Sequence, residues 1–222
     1  MKGTALLFAS AMVCIRKLCY SNLVIDESKG LTAVYFAFLK NEGSIMTFIQ
    51  YYDSPLGGIL LAADEIGLTG LWFDGQKYFA RDLPAECIDR DAPALSEARH
   101  WLDIYFTGKE PDFLPPLHPM GSAFRQSVWE ILLRIPYGQT TTYGEIARQL
   151  AEKKGLSQMS AQAVGGAVGH NGISIIIPCH RVVGTNGSLT GYAGGIDRKV
   201  KLLELEHTDM SGFFVPKKGT AL

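Results

Sequence analysis

Cysteine is scarce in this 222-residue chain, and its four copies, Cys14, Cys19, Cys87 and Cys179, form no Cys-x-x-Cys pair and no finger-like spacing. That pattern argues against a zinc site and, in a chain of this size, against a disulfide framework. It suits a reducing cytoplasm, where a reactive thiol persists. Long apolar runs are also missing: Ala5 to Val13, behind Lys2, is too short to span a bilayer, so no membrane partner is expected. A nucleotide loop is lacking as well. The run Ala163-Val-Gly-Gly-Ala-Val-Gly169 is rich in glycine, but a polar loop rather than a strand precedes it, which rules out a dinucleotide fingerprint. Neither a cofactor nor a metal is therefore expected.

An excess of charge of either sign is absent too, with 21 Lys and Arg against 22 Asp and Glu. The balance hides a division. Residues 46–119 carry 5 basic and 12 acidic side chains, whereas residues 120–222 carry 11 and 7. Phosphate contact belongs to the second half. Lys2-Gly-Thr-Ala-Leu6 recurs as Lys218-Gly-Thr-Ala-Leu222, which is too short to mark duplicated domains.

What the chain does have is hydrophobic content, 47%, ample for a packed core, and one concentrated stretch, Asn171-Gly-Ile-Ser-Ile-Ile-Ile-Pro-Cys-His-Arg-Val-Val183. Its β-branched residues predict an extended, buried segment with Pro178 interrupting strand pairing. A buried cysteine is often only a small hydrophobe, but here a histidine and an arginine follow directly. The thiolate is the nucleophile, and an ordinary thiol is mostly protonated at neutral pH, so reactivity needs a base or a positive environment. In an extended segment Cys179 and His180 face opposite ways, so a bend or a relay must connect them. His180 needs an acceptor to orient it, and Glu206, at the end of the last helical pattern, is the candidate. Arg181 reads as an ion-pair partner.

The pattern predicts an α+β chain. Phe48 to Tyr52, Ile59 to Ala63 and Gly67 to Phe73 read as an antiparallel meander turning at Ser54-Pro-Leu-Gly-Gly58. A helix over Ala94 to Phe106 follows, with Pro93 at its start and Gly108 at its end. Glu110 to Pro119 holds four prolines and reads as a semi-rigid linker. Helices are then predicted over Phe124 to Ile135, Thr142 to Leu150, Ala161 to Val168 and Ile196 to Glu206, the middle pair as a helix-turn-helix. In the last helix Ile196, Val200 and Leu203 are the expected buried stripe.

Ile177-Pro-Cys-His-Arg-Val-Val183 resembles the signature of the methylated-DNA–protein-cysteine methyltransferases, the O6-alkylguanine-DNA alkyltransferases. The resemblance continues through Phe124-Arg-Gln-Ser-Val-Trp129, Ile135-Pro-Tyr-Gly-Gln-Thr-Thr-Thr-Tyr-Gly-Glu-Ile-Ala147, Ala163-Val-Gly-Gly-Ala167, Asn171 and Gly191-Tyr-Ala-Gly-Gly195, and less closely back to about Met46. It implies residues 46–110 as a ribonuclease H-like unit with a small antiparallel sheet and a helix, 111–119 as linker, and 120–207 as the helical DNA-binding and alkyltransferase domain. Residues 208–222 form a tail and residues 1–45 an extension. Although Ala9-Ser-Ala11 faintly resembles a cleavage site, export of such a thiol protein fits poorly, and Met46 is read as the functional start.

The resemblance also implies roles: Cys179 takes an alkyl group from O6-alkylguanine in double-stranded DNA, and from O4-alkylthymine, in one irreversible turnover. His180, Glu206, Tyr143 and Asn171 assist. Thr142, Tyr143, Gln162, Ala163, Gly165 and Gly166 bind DNA, the helix of Gly165 and Gly166 in the minor groove and Tyr143 at the flipped guanine and the adjacent phosphate, and Val182, Tyr192, Ala193 and Gly194 form the alkyl and base pocket. A cytoplasmic monomer is implied. Where this family carries an arginine before Ala-Val-Gly, this chain has Gln162. Two rival readings are a cysteine hydrolase, which would need oxyanion donors, and a lesion-binding module of the same fold, which would lack the cysteine.

Overall fold

A computed structural model describes residues 46–217. The extension 1–45, the reading of Met46 as a start and both copies of the repeated pentapeptide lie outside the described residues.

The first half is built on a four-stranded sheet of order β3-β2-β1-β4. Strands β1 (Phe48–Ser54), β2 (Gly57–Ala63) and β3 (Leu68–Phe73) form the expected antiparallel meander, in register from Phe48 opposite Ala63 to Ser54 opposite Gly57. The two-residue β4 (Ile88–Asp89) runs parallel to β1 and has no signal in the sequence. Strand β2 is buried on both faces. Ile59, Leu61 and Ala63 point into the main core, while Leu60 and Ala62 join Ile49, Trp72 and Cys87 in a second cluster under the segment that holds Phe79 and Leu83.

Helix α1 (Pro93–Tyr105) starts on its proline and lays Leu95, Ala98, Trp101, Leu102 and Tyr105 on the sheet. The proline-rich linker forms no helix, but it is pinned to the sheet: Leu68 N–H donates to Pro116 O at 2.8 Å, and His118 N–H donates to Leu68 O at 2.8 Å.

Helices α2 (Ala123–Leu132), α3 (Tyr143–Lys153) and α4 (Ala161–Gly169) each begin at a hydroxyl cap, Ser122, Thr142 and Ser160. Helices α3 and α4 are the helix-turn-helix pair, and Trp129 Nε1 donates to Ala167 O at 3.0 Å, fixing α4 on α2. Strands β5 (Thr141–Thr142) and β6 (Val182–Val183) pair in parallel, which ties the start of α3 to the residues after the cysteine. One continuous core runs from Leu61 and Phe73 of the sheet through Tyr105, Leu132, Leu150 and Val164 to Ile177 and Cys179.

Helix α5 (Ile196–Leu205) corrects the expected stripe. Lys199, Leu202 and Leu203 are its buried residues, whereas Ile196 and Val200 are partly exposed. Lys199 is fully buried.

Candidate active site

The stretch before Cys179 is not extended. Leu71 and Ile173 make one bridge, and the chain then coils through tight turns. Ile176 N–H donates to Ser174 O at 2.8 Å and Cys179 N–H to Ile177 O at 2.8 Å, two three-residue turns in succession. Pro178, with φ −82° and ψ 63°, is the centre of the second, a conformation its ring favours. Ile175 is the centre of the first and holds φ 67°, a left-handed angle that is strained for a β-branched residue. The β-branched run reports burial rather than strand pairing, since β propensity is largely a preference for packed surfaces. Cys179–Arg181 then form one 3₁₀ turn.

Asn171, buried, organises that bend. Its Nδ2 lies 2.8 Å from Ile177 O, 3.2 Å from Ile173 O and 3.1 Å from Cys179 Sγ, and its Oδ1 accepts from Ile173 N–H at 3.0 Å. Burial pushes the Cys179 thiol up, against the Asn171 amide, the Lys199 charge and the backbone N–H groups of Cys179 and His180, which all pull it down. The net effect keeps the resting thiol protonated, so its chemistry needs a base.

His180 is fully buried, and its Nε2 stands 2.7 Å from Glu206 Oε1. Its Nδ1 has no hydrogen-bond partner among the described residues. Burial drives the imidazole toward its neutral form against the pull of Glu206, leaving it able to accept a proton. Glu206 sits just past α5 with its side chain sealed from solvent. Despite that burial it is held well below the usual carboxylate range by His180 and Arg181. Arg181 forks onto it, Nε to Oε2 at 2.8 Å and Nη2 to Oε1 at 3.0 Å, and its Nη1 donates to Ile135 O. Arg181 therefore anchors the carboxylate, as an ion-pair partner should. The loop after α2 closes over this group: Gly138 N–H reaches Glu206 Oε2 at 3.3 Å.

Two participants escaped the sequence reading. Lys199 Nζ donates to Val182 O and Thr190 O, both at 2.6 Å, and burial pulls its pKa down to about 8 while the neighbouring Cys179 opposes this. Its signal was present: Lys199 lies three residues after Ile196 and four before Leu203, on the apolar stripe. The other is Tyr105 of α1, whose hydroxyl donates to Glu206 Oε1 at 2.7 Å. On the sequence it is one more core aromatic.

The remaining candidates fall into three places. Tyr143 is part-buried at the start of α3, and its hydroxyl donates to Thr190 O at 3.2 Å and Gly191 O at 3.3 Å. Thr142 spends its hydroxyl on capping α3, accepting from Glu145 N–H. On α4, Gln162, Ala163 and Gly166 are exposed, and Gly165 lies against the Tyr143 ring: a Cβ there would stand 3.7 Å from it. Exposed small residues on one side of a helix allow close approach of another surface. Around the thiol, Val182 is buried and Tyr192 sets its ring edge-on to His180 at 6.3 Å. Ala193 O accepts from Lys77 N–H, which binds this loop to the first half of the chain, and Gly194 O accepts from Arg198 Nη1, whose Nε and Nη2 donate to Leu56 O and Asp74 O. Among the described residues no helix is long and apolar enough to cross a membrane.

Comparison with known proteins fits this geometry. Residues 48–119 match the 6-O-methylguanine DNA methyltransferase ribonuclease-like domain, and residues 123–208 match the 6-O-methylguanine DNA methyltransferase DNA binding domain. A methylated-DNA–protein-cysteine methyltransferase of Methanosarcina acetivorans is 45% identical over 160 residues, 72% of this chain and 97% of the relative. Its namesake from Mycobacterium tuberculosis is 46% identical over 161 residues, 72% of this chain and 93% of the relative. Among solved structures, Mycobacterium tuberculosis OGT in complex with DNA is similar with a TM-score of 0.61 and 45% identity, covering 72% of this chain and 92% of that one.

Proposed function

This chain belongs to the 6-O-methylguanine DNA methyltransferase family, and from that premise we propose that it repairs double-stranded DNA by moving the alkyl group of O6-alkylguanine onto its own Cys179. The observation that carries this reading is a buried thiol held by Asn171 beside a His180–Glu206 pair. His180, oriented by Glu206, removes the thiol proton through a water; the S–C bond forms as the C–O6 bond breaks. The purine leaves as an anion, or takes a proton that Tyr143 supplies. A thioether resists water, so each molecule is consumed in one event.

The helix-turn-helix and the exposed Gln162, Ala163 and Gly166 face of α4 support contact with the minor groove. Reaching O6 requires the base to leave the stack, at a cost of a few kcal/mol. Val182, Tyr192, Ala193 and Gly194 receive it. O4-alkylthymine is a second substrate in this reading, and the protein works as a monomer in the cytoplasm, with residues 46–110 and 120–207 as its two domains.

Mass spectrometry after exposure to duplex DNA containing O6-methylguanine tests the proposal. One methyl group per protein, on Cys179, is expected, with Cys179→Ala unmodified but still bound to DNA. Several turnovers per molecule would refute it.

A further inference from the structure

Glu206 Oε1 takes hydrogen bonds from two halves of the chain: His180 Nε2 from the cysteine turn and the Tyr105 hydroxyl from α1, each at 2.7 Å. Tyr105 is fully buried, 101 residues away in sequence. Its ring is held by Trp101, stacked at 5.0 Å and 14°, and by the edges of Phe106 and Tyr137 at 5.5 and 6.1 Å. The phenol cannot swing away without breaking the core. Resting on the reading above, we propose that Tyr105 is a positioning residue for alkyl transfer, through which the amino-terminal half sets how strongly Glu206 holds His180.

Three donors, His180 Nε2, the Tyr105 hydroxyl and Arg181 Nη2, compete for the charge of this one carboxylate oxygen, so each bond is weaker than it would be alone. Tyr105 thereby limits the pull of Glu206 on the imidazole and leaves His180 neutral and able to accept the thiol proton. The charged and titratable groups facing this pair are Arg181 on the same turn, Lys199 on α5, Tyr137 from the loop after α2, and Tyr192 from the loop before α5. Arg181 spans both carboxylate oxygens and is unchanged by loss of the phenol. With the Tyr105 bond gone, Oε1 turns wholly to His180 and Arg181, the imidazolium is favoured, and the base is lost at higher pH.

The test is the pH profile of the alkyl-transfer rate for wild type, Tyr105→Phe, Glu206→Gln and the double variant, with free O6-benzylguanine as substrate. Phenylalanine keeps the ring contacts, and thermal melting checks the fold. The acid limb should move to higher pH in Tyr105→Phe, with the rate on that limb falling about three- to tenfold, the scale of one shared charge-assisted hydrogen bond, and the plateau little changed. In the Glu206→Gln background the same change should have no further effect on the profile. A Tyr105→Phe profile that overlays wild type while Glu206→Gln alters it overturns the inference alone. If Glu206→Gln also matches wild type, the reading of Glu206 fails with it.

Discussion

The amide nitrogen of Asn171 lies 3.1 Å from the sulfur of Cys179 and 2.8 Å from the carbonyl of Ile177, so one buried side chain holds both the nucleophile and the bend that presents it. Asn171→Asp keeps the shape and the acceptor for Ile173 N–H but replaces the donor with an oxygen facing the sulfur. A carboxylate there repels the thiolate. The rate with free O6-benzylguanine should fall by about tenfold or more, the loss of a hydrogen bond to a charged group, and the melting temperature should fall as well, because the new oxygen also faces the Ile173 and Ile177 carbonyls. An unchanged rate would show that the amide serves the backbone alone.

The helices of the second half and the Cys179, His180 and Glu206 set were legible because local chemistry marks them: caps at Ser122, Thr142 and Ser160, apolar spacing, and a polar triplet inside an apolar run. The conformation of residues 173–178 was not legible. Isoleucine runs look alike in strands and in buried coils, and the turns at Ile175 and Pro178 depend on the tertiary pull of Asn171. Lys199 and Tyr105 were missed for a related reason. Each occupies a helical position where the pattern calls for bulk, and only packing reveals that its polar atom has a partner.

Gly138 should not tolerate a side chain. It holds φ 70°, and a Cβ there would stand 2.8 Å from Glu206 O. Gly138→Ala should destabilise the protein by roughly 1–3 kcal/mol through backbone strain alone. Because the loop also donates to Glu206, alkyl transfer should slow as well. Denaturant unfolding together with the reaction rate checks this, and a stability equal to wild type would contradict it.

Lys199 gives a signed pH effect. Its pKa falls from 10.5 to about 8 on folding, so the native state disfavours the charged amine. Below pH 8 that penalty is present in full; as pH rises from 8 toward 10.5 the unfolded chain binds the extra proton, and the penalty is relieved. The stability of wild type relative to Lys199→Met should therefore rise across this window, by about 3 kcal/mol at most. Its charge also favours the thiolate, so Lys199→Met should slow alkylation of Cys179 by iodoacetamide at neutral pH. A flat stability difference between pH 8 and 10.5 would show that the amine titrates as if exposed.

On the proposed reading, a change at Gln162 should separate extrusion of the base from chemistry at the sulfur. It is exposed on the first turn of α4, whereas Cys179 is buried in the turn held by Asn171. Glutamine offers amide donors and an acceptor to a base edge, but it lacks the planar cation that stacks and attracts phosphate. Gln162→Arg should fill the gap left by a flipped nucleotide better, and so speed reaction with O6-methylguanine in duplex DNA. Free O6-benzylguanine needs no extrusion, and its rate should stay within about twofold of wild type, since a surface change far from other contacts is energetically small. The two substrates are to be compared in both proteins at one salt concentration, because an added charge strengthens DNA binding in a salt-dependent way. Raising the salt should shrink the gain in binding but leave any gain in the rate from a saturated complex. Equal acceleration of the free base and the duplex would mean that residue 162 acts on the pocket, and the minor-groove assignment of α4 would fall.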